Sequence, residues 1–122
     1  MTAPVVDYEN ENGDDCMQFI LPESIYGSEM SSAPEPTDDR VELLARPQMI
    51  MAAIVFNGWA SSKDFELELT KLNLAIKAME NDDSFLWTMK TPAHIEDYQY
   101  DDPWTLGPFR TNEVVVELVQ KN

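Results

Sequence analysis

Positive charge is scarce in this sequence: eight Lys and Arg stand against 23 Asp and Glu, for a formal net charge of −15 at pH 7. A surface of that sign repels phosphate, which argues against nucleic acid as a partner. Cysteine and histidine occur once each, as Cys16 and His94. A single thiol closes no internal disulfide, fits a reducing compartment and leaves only a link to another chain. One histidine with one cysteine makes no zinc site. The acidic doublets Asp14-Asp15, Asp38-Asp39, Asp82-Asp83 and Asp101-Asp102 have neither the spacing nor the glycine of a calcium loop. There is no Gly-x-Ser-x-Gly elbow, no Cys/His pair at catalytic spacing and no phosphate-binding loop, so the chain is expected not to be an enzyme. The longest near-apolar run, residues 49–56, falls far short of the roughly 18 to 20 residues that span a bilayer. The N-terminus lacks the basic and apolar regions of a signal peptide. A soluble, cytoplasmic protein without membrane association is the expectation.

What is present suffices for one small core. Hydrophobic residues make up 43% of 122, including three Trp, four Tyr and five Phe, which argues against wholesale disorder. Residues 1–15 are acidic and aperiodic and are expected to form a disordered leader, with one folded unit over 16–122. Residues 17–21 are short, apolar and bounded by Pro22, as in a strand. A connector rich in Ser, Pro and Glu follows to Asp39, extended around Ala33-Pro34-Glu35-Pro36. Residues 41–45 and 48–56 are predicted as two strands turned at Arg46-Pro47.

Ser61 and Ser62 are N-cap types, and Asp64 lies where a helix dipole favours an anion, so a helix is predicted over 61–80. Phe65, Leu69, Leu72, Ile76 and Met79 form its apolar stripe. Leu67 and Leu74 lie off that stripe and imply burial of a second face. Strands are predicted at 85–89 and 95–100. In the C-terminal run, Val114, Val116 and Leu118 point one way and Glu113, Val115, Glu117 and Val119 the other, as in a half-buried strand. The sum is an α+β fold: an antiparallel sheet of about five strands with one covering helix.

Four segments carry a family resemblance. They are Ala33-Pro34-Glu35-Pro36-Thr37-Asp38, Phe56-Asn57-Gly58-Trp59-Ala60-Ser61, the helical residues 69–74, and Tyr100-Asp101-Asp102-Pro103-Trp104 with Arg110-Thr111-Asn112-Glu113. In order and spacing they resemble the SOUL haem-binding protein family over about residues 17–119. Members have two β-α-β-β halves closing into a distorted barrel, and this chain resembles the C-terminal half. The resemblance implies haem or a related tetrapyrrole as ligand, and a barrel completed by a second copy or by a partner chain that supplies the first half. The alternative is a protein-interaction or structural subunit that keeps the fold without the ligand. A basic residue that some members carry after the Pro-aromatic pair corresponds to Thr105 here, and the second arginine of an Arg-Arg-Asn-Glu motif to Thr111.

The candidate ligand contacts are His94, Tyr98, Trp104, Phe109 and Arg110. His94 is a haem-iron ligand or an exposed polar loop residue. Arg110 pairs with a propionate, or with Asp101, Asp102 or Glu113 to lock the corner. Tyr98, Trp104 and Phe109, like Trp59 and Tyr100, stack on a macrocycle or pack around turns. Met49, Met51, Met79 and Met89 are read as core filler.

Overall fold

The structure is a computed structural model that describes residues 3–27, 29–102 and 104–122. Pro103 of the closing turn lies outside the described residues. Six strands, β1 (Val5–Glu9), β2 (Asp15–Phe19), β3 (Ile50–Asn57), β4 (Trp87–Met89), β5 (Ile95–Gln99) and β6 (Thr111–Gln120), form one open antiparallel sheet in the order β2-β1-β5-β6-β3, with β4 beside β6. A short helix, α1 (Glu23–Tyr26), precedes the main helix α2 (Ser62–Glu80).

β6 is the spine. One edge pairs with β3 over eight positions, from Ile50↔Leu118 to Asn57↔Thr111. The other edge takes β5, Ile95↔Val116 to Gln99↔Asn112, and then β4 near its end. The predicted alternation holds: Val114, Val116 and Leu118 are buried beneath Phe65, Leu72 and Ile76 of α2. Phe56 meets Phe65 edge to face at 5.2 Å. The helix begins in a capping box, with Asp64 N donating to Ser61 Oγ (3.2 Å) and Ser61 N to Asp64 Oδ2 (2.9 Å). Leu67 and Leu74 are exposed and Met79 is half-exposed, so α2 buries one face and not the two expected.

Two further expectations are corrected. The segment read as a disordered leader contains β1, paired to β2 (Val5↔Phe19 to Glu9↔Asp15) and to β5 (Val5↔Gln99 to Asp7↔Asp97). Its Val6 is completely buried. The hairpin turns where Asn10 Oδ1 accepts from Asn12 N and Asp14 N, both at 2.9 Å, and Gly13 takes φ +84°. β1 escaped the reading because Asp7 and Glu9 occupy the positions where a buried strand shows apolar residues. Residues 41–45 form no strand; the chain is tied to the sheet face away from α2 through the side chain of the next residue, Arg46.

Burial ranks the helix positions. Ile76→Ala should lower unfolding stability by ~2–5 kcal/mol, whereas Leu74→Ala on the exposed face should stay within about 0.5 kcal/mol; urea titration of both variants checks the contrast.

Candidate functional site

The period of a strand sends His94, Glu96 and Tyr98 to one face of β5 and Ile95, Asp97 and Gln99 to the other. On the face away from α2, the Glu96 side chain is 2% exposed. Arg46 grips it with both arms of its guanidinium, Nη2 to Oε1 at 2.7 Å and Nη1 to Oε2 at 3.0 Å. The Tyr98 hydroxyl donates to Oε1 at 2.9 Å, and His94 Nε2 lies 3.2 Å from Oε2. Arg46 also donates to Gln18 on β2 at 3.0 Å, so one cation ties the segment before β3 to two strands. Burial pushes the Glu96 carboxyl upward, but the bonds from Arg46, Tyr98 and His94 outweigh it and hold the group below the ordinary carboxylate range. Burial first, and the neighbouring Glu96 second, push Tyr98 up to about 12. The His94 ring lies 6.4 Å from that of Tyr8, and Tyr98 meets Tyr100 edge to face at 6.4 Å.

The closing turn is a separate corner past the far end of β5. Arg110 is buried and donates from Nη1 to the carbonyls of Asp102 (2.8 Å) and Thr105 (3.3 Å), and its guanidinium sits 4.5 Å over the Trp59 ring. Gly107 backs the same indole: a Cβ there would come within 2.6 Å of Trp59 Cδ1. Asn112, also buried, donates to Gly58 O at 2.9 Å. Arg110 therefore locks the corner through backbone carbonyls, not through the carboxylates of Asp101, Asp102 or Glu113. Trp104 and Phe109 are 86% and 72% exposed. Of the five candidate residues, the structure brings His94 and Tyr98 together and leaves Trp104, Phe109 and Arg110 at the corner.

Two features were missed in the sequence. One is the partnership of Arg46 and Glu96, whose only sequence signal was the His94-Glu96-Tyr98 alternation. The other is a groove of about 700 Å³ on the opposite face, between the N-terminal half of α2 and the β2-β1-β5 side of the sheet. Its walls include Phe65, Leu69, Ile95 and Met17, and its floor holds Asp7 directly across from Asp97. Burial, with the Asp7 charge second, raises Asp97 to about 6. The neighbours Glu96 and Asp97 are thus shifted in opposite directions from their ordinary values.

These shifts fix the pH response. Glu96, with its folded pKa depressed, contributes stability above the ordinary carboxylate range and loses it as pH falls through its lower folded value. Asp97, with its folded pKa raised, contributes fully below its ordinary value near 3.8 and loses that contribution as pH rises to about 6. Asp97→Asn should therefore raise the urea midpoint at pH 7 and leave it nearly unchanged at pH 3.5. Arg46→Ala should cost ~2 kcal/mol at pH 7 by orphaning a buried carboxylate, with part recovered when Glu96→Gln is added.

No helix among the described residues is long and apolar enough to cross a membrane. Neither the curated proteins nor the solved structures compared with the chain give a match. The family model described as SOUL heme-binding protein matches residues 1–117, nearly the whole chain and including the β1-β2 hairpin. A match of that extent, on an open antiparallel sheet with one main helix, shows that this chain belongs to the SOUL haem-binding protein family.

Proposed function

We propose that the chain is a non-enzymatic, cytoplasmic tetrapyrrole-binding protein that takes its ligand on the sheet face away from α2, where a second copy covers it. The observation that carries this reading is the His94–Glu96 pair. A histidine that binds a metal through one ring nitrogen commonly gives the other to a carboxylate, which fixes the ring. His94 has Nε2 on Glu96, which leaves Nδ1 as the nitrogen for iron. Haem would supply a flat apolar macrocycle and an iron with an open coordination position. The remaining requirements are an apolar surface and a compensated charge. Met51, Ala53 and Val55 of β3 lie on this face beside β6, and Val55 is 60% exposed. Tyr98 and Tyr100 add aromatic surface for stacking. Arg46, 29% exposed, compensates Glu96 with both arms of its guanidinium, which removes that carboxylate's repulsion of a propionate.

The opposite groove is a poorer match for haem, because its carboxylates repel propionates. Trp104, Phe109 and Arg110 act around the closing turn, the first two as apolar surface for the covering copy and Arg110 as its lock. Among the described residues β3 has a free edge of eight uncharged residues. Such an edge invites strand addition, and two-fold self-association is the commonest way to satisfy it. A partner chain supplying the missing wall would serve the same end.

Haem titrated into the purified chain should give a saturable Soret shift, displaced in wavelength and weakened about tenfold by His94→Ala. Unsaturable absorbance changes would remove the ligand, and an unchanged spectrum in the variant would remove His94. Light scattering should give twice the 13.9 kDa chain mass; a mass of one chain at high concentration would remove the second copy.

A further inference from the structure

The groove beneath α2 is a second site with its own chemistry. It is large enough for a small organic molecule, at about 700 Å³. Its apolar walls come from three elements, Phe65 and Leu69 of α2, Ile95 of β5 and Met17 of β2, and Met17 is 61% exposed. Its charges are all of one sign. Asp7 stands directly across from Asp97, and Glu9 directly across from Asp15, in the strand registers. Facing carboxylates on neighbouring strands are destabilising, and here two such pairs lie side by side in one concavity. Among the described residues Asp7 accepts a bond from Gln99 at 3.3 Å, and no ion pair engages any of the four carboxylates.

Asp7 and Asp97 are half-buried in the concavity while Glu9 and Asp15 are exposed at the hairpin end, so the electrostatic cost falls chiefly on the first pair. No group of His, Cys, Asp and Glu among the described residues converges to hold a metal ion. A counter-charge carried on an apolar body would relieve the repulsion and cover Phe65 and Leu69 together.

We propose that this groove binds a small organic cation with a flat apolar body, seated against Phe65 and Leu69 with its charge between the facing carboxylates. The apolar part is driven in by burial and the charge by attraction that weakens with salt. The site lies on the opposite side of the sheet from His94 and Arg46, so it stands or falls separately from haem binding.

Fluorescence anisotropy of acridine orange, a flat cation, with the full chain should show saturable binding that weakens as salt is raised. Fluorescein, a flat anion of similar size, should not bind. Replacing both Asp7 and Asp97 by Asn should weaken the dye at least tenfold while raising the urea midpoint, because the change removes a repulsive pair. A variant that had merely lost its fold would show the reverse in stability. Glu35→Gln, the same loss of charge outside the groove, should leave binding within twofold. Asp15→Asn, at an exposed hairpin position, should by itself weaken the dye severalfold and gives the reading if the double variant does not fold. Equal binding of the two dyes, a double variant that binds like the parent, or an equal loss in Glu35→Gln would each overturn the proposal.

Discussion

One packing layer holds this protein together: the apolar side of β6 pressed against a single stripe of α2. Val114, Val116 and Leu118 meet Phe65, Leu72 and Ile76 there, and these six are the buried residues of the core cluster. Both edges of β6 are filled, by β3 on one side and by β5 and β4 on the other. Every other feature is placed by its relation to that layer. Because one helix cannot cover six strands, the β2-β1-β5 side beneath it stays open as a groove. On the opposite face Arg46 ties the segment before β3 to Glu96 and Gln18.

β5 shows how this asymmetry becomes chemistry. Glu96 and Asp97 are adjacent carboxylates of the same intrinsic acidity class, yet one is held ionised and the other is pushed toward protonation. The difference is which way each points. Glu96 meets a bidentate guanidinium, a phenol and an imidazole. Asp97 meets another aspartate and low-polarity walls. The strand's two-residue period therefore separates a charge-compensated face from an uncompensated one.

The closing turn contributes by a different route. Arg110, Trp59 and Gly107 form a stack in which guanidinium, indole and a bare Cα succeed one another, and Asn112 ties the start of β6 to the loop after β3. Arg110, Trp59 and Asn112 are residues of the motifs that resemble the family, and their contacts are with backbone and with each other. In this chain the shared pattern thus encodes the corner that aims β6 into the core, while His94 and Glu96, outside the quoted motifs, shape the sheet face away from α2.

Several elements were legible in the residues alone. The capping box at Ser61, the 4-3-4-3 apolar stripe and the valine alternation of β6 each depend on neighbours within a few positions, so α2 and the terminal strand stood out. β1 did not, because its pattern makes sense only against a groove that leaves Asp7 and Glu9 unburied by apolar packing. Residues 41–45 misled for the opposite reason: they have a strand-like composition, yet they pair with no strand, and the neighbouring Arg46 bonds to Glu96 and Gln18 through its side chain instead. The sequence by itself determined the elements whose hydrophobic period is local, the α+β class and the absence of a zinc-binding residue set. Only the tertiary structure decided that Arg46 meets Glu96 fifty residues away and that Asp7 faces Asp97, since pairing across a sheet depends on register and strand order, which no short window of residues contains.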